Sequence, residues 1–414
     1  MSLFDDASLV LTPNGYKASK LYSIKPTSGA GDMVVSRGTT ATRVNSAGII
    51  ESVAINVPRL DYPLLGGCPK ILVEPLRTNL FLRSEEFNLT WVPILATVTT
   101  NTTTAPDNTM TADKLVATGA PGTHFILQTV ATGAVNGTTV TASVFVKAAG
   151  LSNIQMFNNV TGGGQADFIL SGVGTASLVT GVSANIEAYP LGWYRCSMSY
   201  TPATTGGFNI QIRLADSSGS TSFTGNALDG VSLWGAQLET GTNATSYIPT
   251  VAGPISRNAD VISKTGISSL IGQTEGTIFM DLNFTNVGVD KYILVINNTA
   301  NTNSIAIRRL SGGAIRIVLT ATTTSGTTSQ SSAVLANGNY KIAYRYISGS
   351  IKLYINGALS FSETPTFTFG SAIENIKLGM SNGNTEQLND SINSFQLYQT
   401  ALENDQCIDL TKIT

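Results

Sequence analysis

Trp193, Tyr194 and Trp234 are the residues best suited to hold a sugar, because a flat aromatic face matches the apolar face of a pyranose ring. Each lies inside an alternating, strand-like run: Gly192-Trp193-Tyr194-Arg195-Cys196-Ser197-Met198-Ser199-Tyr200, or Leu233-Trp234-Gly235-Ala236-Gln237-Leu238-Glu239. That setting favours core packing with the indole N–H bonded internally. A sugar site is therefore expected on loops, near Tyr189, Phe223 or Tyr292, and its ligand-binding residues stay unassigned. A retaining glycosidase needs two carboxyls about 5–5.5 Å apart. Asp5-Asp6 and Glu85-Glu86 are adjacent, so on a strand they would point to opposite faces. They read as a flexible tail and as a turn or helix start. The single histidine, His124, has no HxH or HExxH partner and reads as a loop or sheet-edge residue. Asn382-Gly383-Asn384-Thr385-Glu386 and Asn389-Asp390 offer oxygens to a calcium ion, although turn formation explains them equally well. No catalytic residue, metal-ligand set or other cofactor is assigned, and an enzyme is not expected.

The elements that position these residues follow from composition. The chain has 414 residues, long enough for two or three domains. Hydrophobic residues make up 42%, enough for real cores, but charged residues only 12%, about half the usual share of roughly 25%. Polarity comes instead from Thr, Ser, Asn and Gly, which favour strands and turns over long helices. Net charge is −2, without a basic block, so nucleic acid and anionic membrane are poor candidates as partners, and neither nucleic-acid binding nor membrane insertion is expected. No apolar run reaches membrane-spanning length, and Met1-Ser-Leu-Phe-Asp-Asp has no signal-peptide pattern. Cys68, Cys196 and Cys407 are odd in number and far apart, and are expected as free buried thiols.

Residues 1–79 read as an extended, irregular segment that packs on other chains, with Gly48 to Arg59 supplying a strand or two. Residues 80–262 carry short strands such as Val140 to Lys147, Asn153 to Phe157 and Phe208 to Leu214. In the last, Phe208, Ile210, Ile212 and Leu214 alternate with Asn209, Gln211 and Arg213, the mark of a half-buried antiparallel strand. Asn136-Gly137, Gly162-Gly163-Gly164 and Thr205-Gly206-Gly207 punctuate these runs. Residues 263–414 hold a second series, with a tight hairpin at Asn356-Gly357. One helix is expected: Thr400-Ala401-Leu402-Glu403 has capping-box spacing, with Leu402, Cys407 and Leu410 turned inward through about Leu410. The fold class is all-β, two antiparallel jelly-roll or β-sandwich domains after the N-terminal segment.

Two stretches carry a resemblance. Gly276-Thr277-Ile278-Phe279, Leu353-Tyr354-Ile355-Asn356-Gly357, Ile376-Lys377-Leu378-Gly379 and Phe395 to Leu402 resemble the laminin-G/concanavalin-A-like jelly roll over the last third of the chain. In the middle, Val73-Glu74-Pro75-Leu76-Arg77-Thr78-Asn79-Leu80, Ser84-Glu85-Glu86-Phe87, Trp193-Tyr194-Arg195, Leu233 to Glu239 and Ser246-Tyr247-Ile248-Pro249-Thr250 resemble a carbohydrate-binding-module-like jelly roll of tailed-phage tail and head fibres. Thr42-Arg43-Val44-Asn45 and Asn56-Val57-Pro58-Arg59-Leu60-Asp61-Tyr62 match its leader. The resemblance implies a virion protein, made in the bacterial cytoplasm and released by lysis. It would bind other virion proteins through its N-terminal segment, form a homo-oligomer (a trimer favoured) and adhere to host-surface glycan. A capsid decoration protein is the alternative. A polysaccharide-degrading enzyme is disfavoured, because the alternating carboxylates of the concanavalin-A-like glucanases are missing.

Overall fold

The computed structural model describes residues 2–134, 136–159, 164–285, 288–326, 328–383 and 386–413. Gly162-Gly163 and Asn384-Thr385 lie outside the described residues, as does the side chain of Phe208. The fold is all-β, as the Thr-, Gly- and Asn-rich composition requires.

The middle of the chain is a jelly roll of two six-stranded antiparallel sheets. One contains Ala96–Thr103, Ala112–Ala117, Gly230–Thr240, Val140–Ala149, Trp193–Tyr200 and Ser183–Tyr189, in that order. The facing sheet runs Thr175–Thr180, Gln165–Ile169, Asn153–Asn158, Gly206–Ala215, Phe125–Ala134 and Val92–Ile94. Ile154, Met156, Ile210, Ile212 and Leu214 meet Leu115, Val144, Cys196, Met198 and Leu238 between them. The alternation in Gly206–Ala215 is half-buried as expected: outward Arg213 lies 3.6 Å over the Phe157 ring and bonds Gln211 and Gln155.

The central strands of the first sheet are buried on both faces, and their sequence shows why. In Trp193–Tyr200, Tyr194, Cys196, Met198 and Tyr200 face the jelly-roll core. Trp193 packs on the opposite side with Phe145, Trp234, Tyr247 and, from the N-terminal segment, Ile50. Two apolar faces demand two covers, and the N-terminal hairpin Ala41–Val44/Ile50–Val53 contributes to the second.

That placement differs from the expectation for residues 1–79. Leu9–Lys17 pairs with Asp390–Tyr398, Met33–Ser36 with Val261–Lys264, and Lys70–Val73 with Asp390–Tyr398. These N-terminal strands are thus members of the 16-stranded C-terminal sheet. Leu9, Leu11, Leu21, Met33, Val35, Ile71 and Val73 fill its core beside Ile278, Leu294, Ile317 and Phe395. Met33–Ser36 and Lys70–Val73 are too short for the sequence to show a sheet, and Leu9–Lys17 is interrupted by Pro13-Asn14-Gly15, yet each carries apolar side chains that only a neighbouring sheet can bury. Asp5 and Asp6 belong to a one-turn helix, Leu3–Asp6, rather than a flexible tail; Asp5 Oδ2 accepts from the Ser2 N–H at 3.2 Å.

The sheet folds into a sandwich, with Ser329–Val334 and Ala358–Glu363 at its two ends. The Asn356-Gly357 hairpin forms, both residues at positive φ (51° and 82°), as a type I′ turn requires. The helix is Asn404–Thr411, three residues later than the Thr400 spacing implied: Gln406 Oε1 accepts from the Glu403 N–H at 2.9 Å. Cys407 and Leu402 are buried under it with Phe279 and Tyr398, while Leu410 is half-buried.

Candidate functional site

A buried knot of charge joins the N-terminal segment to the end of the jelly roll, where the chain passes into the C-terminal sandwich. Arg59 donates to Glu74 Oε2 at 2.6 Å and pairs with Asp260; Arg37 Nη1 donates to Asp260 at 2.9 Å; Arg257 Nη1 lies 2.9 Å from Glu74. The Ser246 N–H donates to Glu74 Oε1 at 2.8 Å. Burial opposes charge on Glu74, but Arg257 and Arg59 overcome it and hold the carboxyl well below the ordinary carboxylate range.

Glu74 and Ser246 of this knot also line a cleft of about 570 Å³ at the seam of all three parts. Arg43, Asp61 and Tyr62 line it from the N-terminal segment, Glu187 and Tyr189 from the edge strand of the jelly roll, and Asn283 from the C-terminal sandwich. The Val44 N–H donates to Asp61 Oδ1 at 2.7 Å, and the Tyr62 N–H to the Val44 carbonyl at 3.0 Å, so the hairpin sets both side chains. Burial, reinforced by the nearby charges of Glu74 and Glu187, pushes the Asp61 carboxyl up to about 6, although the Val44 hydrogen bond and Arg59 work the other way. Glu187 keeps solvent contact, yet the cleft walls around it raise its carboxyl too, with Arg195 opposing. Burial and Glu187 raise the Tyr189 hydroxyl well above its ordinary value.

Chemically, the cleft offers acceptors, donors and aromatic edges in one concave, mixed-polarity space. A carboxyl near its titration point can both donate to and accept from a hydroxyl. Small-molecule sites have this combination: a mostly preformed hollow with a few convergent polar groups. Among the described residues no group of three His, Cys, Asp or Glu converges as a metal site.

Most residues singled out in the sequence lie elsewhere. Trp193 and Trp234 are fully buried, with Nε1 donating to the Thr104 carbonyl at 3.0 Å and to Thr111 Oγ1 at 3.1 Å. Tyr194 is buried with its hydroxyl on the Gly172 carbonyl. His124 sits between two strands but is fully buried, not at an edge; its ring nitrogens lie 2.6 Å from the Leu95 carbonyl and 3.0 Å from that of Phe223. Phe223 packs on this imidazole, and Tyr292 lies under Arg308, so neither shares the cleft. Tyr189 does line it. Glu85 accepts from the Tyr247 hydroxyl and Glu86 pairs with Arg83. In the proposed calcium loops Glu386 pairs with Arg308, Asp390 with Lys291, and Asn389 bonds Asn243. Cys196 and Cys407 are buried thiols, whereas Cys68 is exposed on the Gly66-Gly67 loop. Asp61 and Glu187 were missed because they come from different parts of the chain, and a search for carboxylates at alternating strand positions cannot pair them.

Residues 261–407 match the family model described as the concanavalin A-like lectin/glucanases superfamily, of laminin G type. The C-terminal sandwich is similar in fold to the jelly rolls of that superfamily. No curated protein matches the chain. Among solved structures, the chain is similar to the CBM40 of the Ruminococcus gnavus IT-sialidase bound to α2,3-sialyllactose: 18% identity over 36% of this chain and 91% of that one, TM-score 0.30. It is similar to domain 4 of a GH43 arabinanase from Geobacillus stearothermophilus in complex with arabinotriose: 17% identity, 41% and 82% coverage, TM-score 0.31. Mouse laminin α1 LG4-5 is 10% identical over 70% of this chain and 91% of that one, TM-score 0.23. At this level of likeness no ligand or residue role passes from those proteins to this chain.

Proposed function

We propose that the protein is a non-catalytic glycan-binding component of a tailed-phage virion, a tail or head fibre or spike, that adheres to the host surface through the seam cleft. The observation that carries the glycan reading is the cleft itself. Asp61, Glu187, Tyr62, Tyr189 and Asn283 converge on one hollow beside a sandwich that matches a lectin superfamily. The virion part rests on the low-charge β composition and on the ordered motifs from Thr42 to Thr250. Copies of a homo-oligomer, a trimer in this reading, would multiply weak single-site affinity by avidity.

Purified protein is tested for mass by light scattering and for retention on bacterial cells and on an array of bacterial surface polysaccharides. A symmetric oligomer retained by a polysaccharide, with retention reduced in Asp61→Ala, supports the reading. Retention by no cell and no polysaccharide overturns it and leaves the capsid-decoration reading. Shortening of a retained polysaccharide, stopped by Glu187→Gln, overturns the non-catalytic part.

A further inference from the structure

Beyond Tyr62 the cleft does not end. The chain from Tyr62 to Lys70 forms a ridge, and a groove of about 860 Å³ opens on its far side, sharing Tyr62, Pro63 and Lys70 with the first hollow. The groove lies over the outer face of the C-terminal sandwich. There, alternation along Glu275–Phe284 puts Met280, Leu282 and Phe284 into the core and Phe279, Asp281 and Asn283 outside. The Asn404–Thr411 helix covers this outer face as far as Phe279 and stops. Asp281 and Asn283 lie beyond the helix and are half-buried.

These two residues begin a polar row that links the hollows. Asn283, in the first cleft, donates from Nδ2 to Oδ1 of Asn339, in the groove, at 2.7 Å. Asn393 Nδ2 donates to Asp281 Oδ1 at 2.7 Å. Asp281 stands opposite Lys341 across the strand pair, so their charges offset. Asn283, Asn339, Asp281 and Asn393 each spend one side of their capacity within the row, and the Lys341 ammonium donates once to the Lys412 carbonyl at 3.0 Å. What remains alternates in kind from one hollow to the other: the Asn283 side-chain carbonyl in the cleft and the second Asp281 oxygen in the groove accept, while the Asn339 amide and the remaining N–H bonds of Lys341 in the groove donate. Alternating donors and acceptors at cross-strand spacing suit a ligand whose every unit can do both, which is the property of sugar hydroxyls. Lys70 and Lys341 stand against Asp281 in the groove, and Arg43 and Arg195 against Asp61 and Glu187 in the cleft, so the two hollows together mix both signs and suit an uncharged chain better than a polyanion.

We propose that the groove over Asp281, Asn339, Lys341 and Asn393 is a second subsite. With the seam cleft it would form one track for an internal stretch of a linear, uncharged polysaccharide, with Tyr62 at the crossing. This rests on the glycan-binding reading of the cleft and extends it from a single sugar to a chain of several.

The test uses the full chain and size-sorted fragments, disaccharide to octasaccharide, of the polysaccharide that the array selects, titrated by calorimetry. Affinity is expected to rise about tenfold or more once a fragment is long enough to reach both hollows, because the second contact is then intramolecular. Asn339→Ala, at an exposed position, is expected to remove that rise while melting at the wild-type temperature. Affinity that is flat with length, or an equal loss at every length in Asn339→Ala, overturns the track while leaving the single cleft standing. Failure of every fragment and of the parent polysaccharide overturns both.

Discussion

Arg37 Nη1 donates to Asp260 Oδ1 at 2.9 Å, although 223 residues separate the two, and both side chains are almost wholly buried. Asp260 also holds Arg59 and accepts from the Glu74 N–H at 3.0 Å. One carboxylate thus ties the strand after Met33, the leader segment and the junction between jelly roll and sandwich. Removing one partner of a buried pair costs about 3–5 kcal/mol, because the other charges stay buried without it. Asp260→Asn is expected to lower stability by that order in a urea titration. The wild type should unfold in a single transition across all three parts, and separate transitions for the two β units would show that the knot does not couple them.

Acid should act through Glu74. Its folded carboxyl titrates below the ordinary value of 4.5, so the unfolded chain binds the proton more readily. The stability it contributes is fully present above about pH 4.5 and is lost as pH falls toward the folded value. Glu74→Gln should be less stable at neutral pH and show a shallower fall below pH 4.5. Melting curves from pH 3 to 7 read both, and an unchanged slope would remove Glu74 as the source.

How much of this was legible in the sequence varies by residue. The indoles of Trp193 and Trp234 were readable as core because their neighbours alternate. The Asn356-Gly357 hairpin was readable because few turns accept two positive φ angles. The motifs around Arg59, Glu74 and Ser246 were visible as an ordered set but not as a knot, since the bonds of Arg59 and Glu74 to Ser246 and Asp260 span 172 to 201 residues. The N-terminal strands looked irregular because their local pairings are short, and the partners that bury Leu9–Lys17, Met33–Ser36 and Lys70–Val73 lie beyond residue 260. Asp61 stood in a leader motif with nothing to mark it as a cleft carboxyl, a property that only burial beside Glu74 and Glu187 confers.

The aromatic residues divide cleanly by substitution. Trp193→Ala empties a core position and should cost about 3–5 kcal/mol, with little specific effect on any ligand once folding is restored by lower temperature. Tyr62→Ala, at a half-buried position on the ridge, should leave the melting point within a few degrees and weaken polysaccharide binding about tenfold, the equivalent of roughly 1.4 kcal/mol. Thermal melting and calorimetric titration of both variants distinguish them. Binding lost in Trp193→Ala at full foldedness would move the site to the seam core.

Asp61 gives the binding a pH signature. Its folded carboxyl is raised from 3.8 to about 6, so between those values the folded protein holds a proton that the unfolded chain has released. The stability linked to that proton is present below about pH 4 and is lost as pH rises through about 6. A ligand that fills the cleft removes more water from Asp61 and favours its neutral form further, so binding takes up a proton. Affinity should therefore increase as pH falls from 7 to 5, by up to about tenfold for each unit of added shift. Asp61→Asn, neutral at every pH, should bind with a flat profile near the acid limit of the wild type. Calorimetry in two buffers of different ionisation enthalpy counts the proton directly. A wild-type profile as flat as that of Asp61→Asn would place the ligand away from this carboxyl.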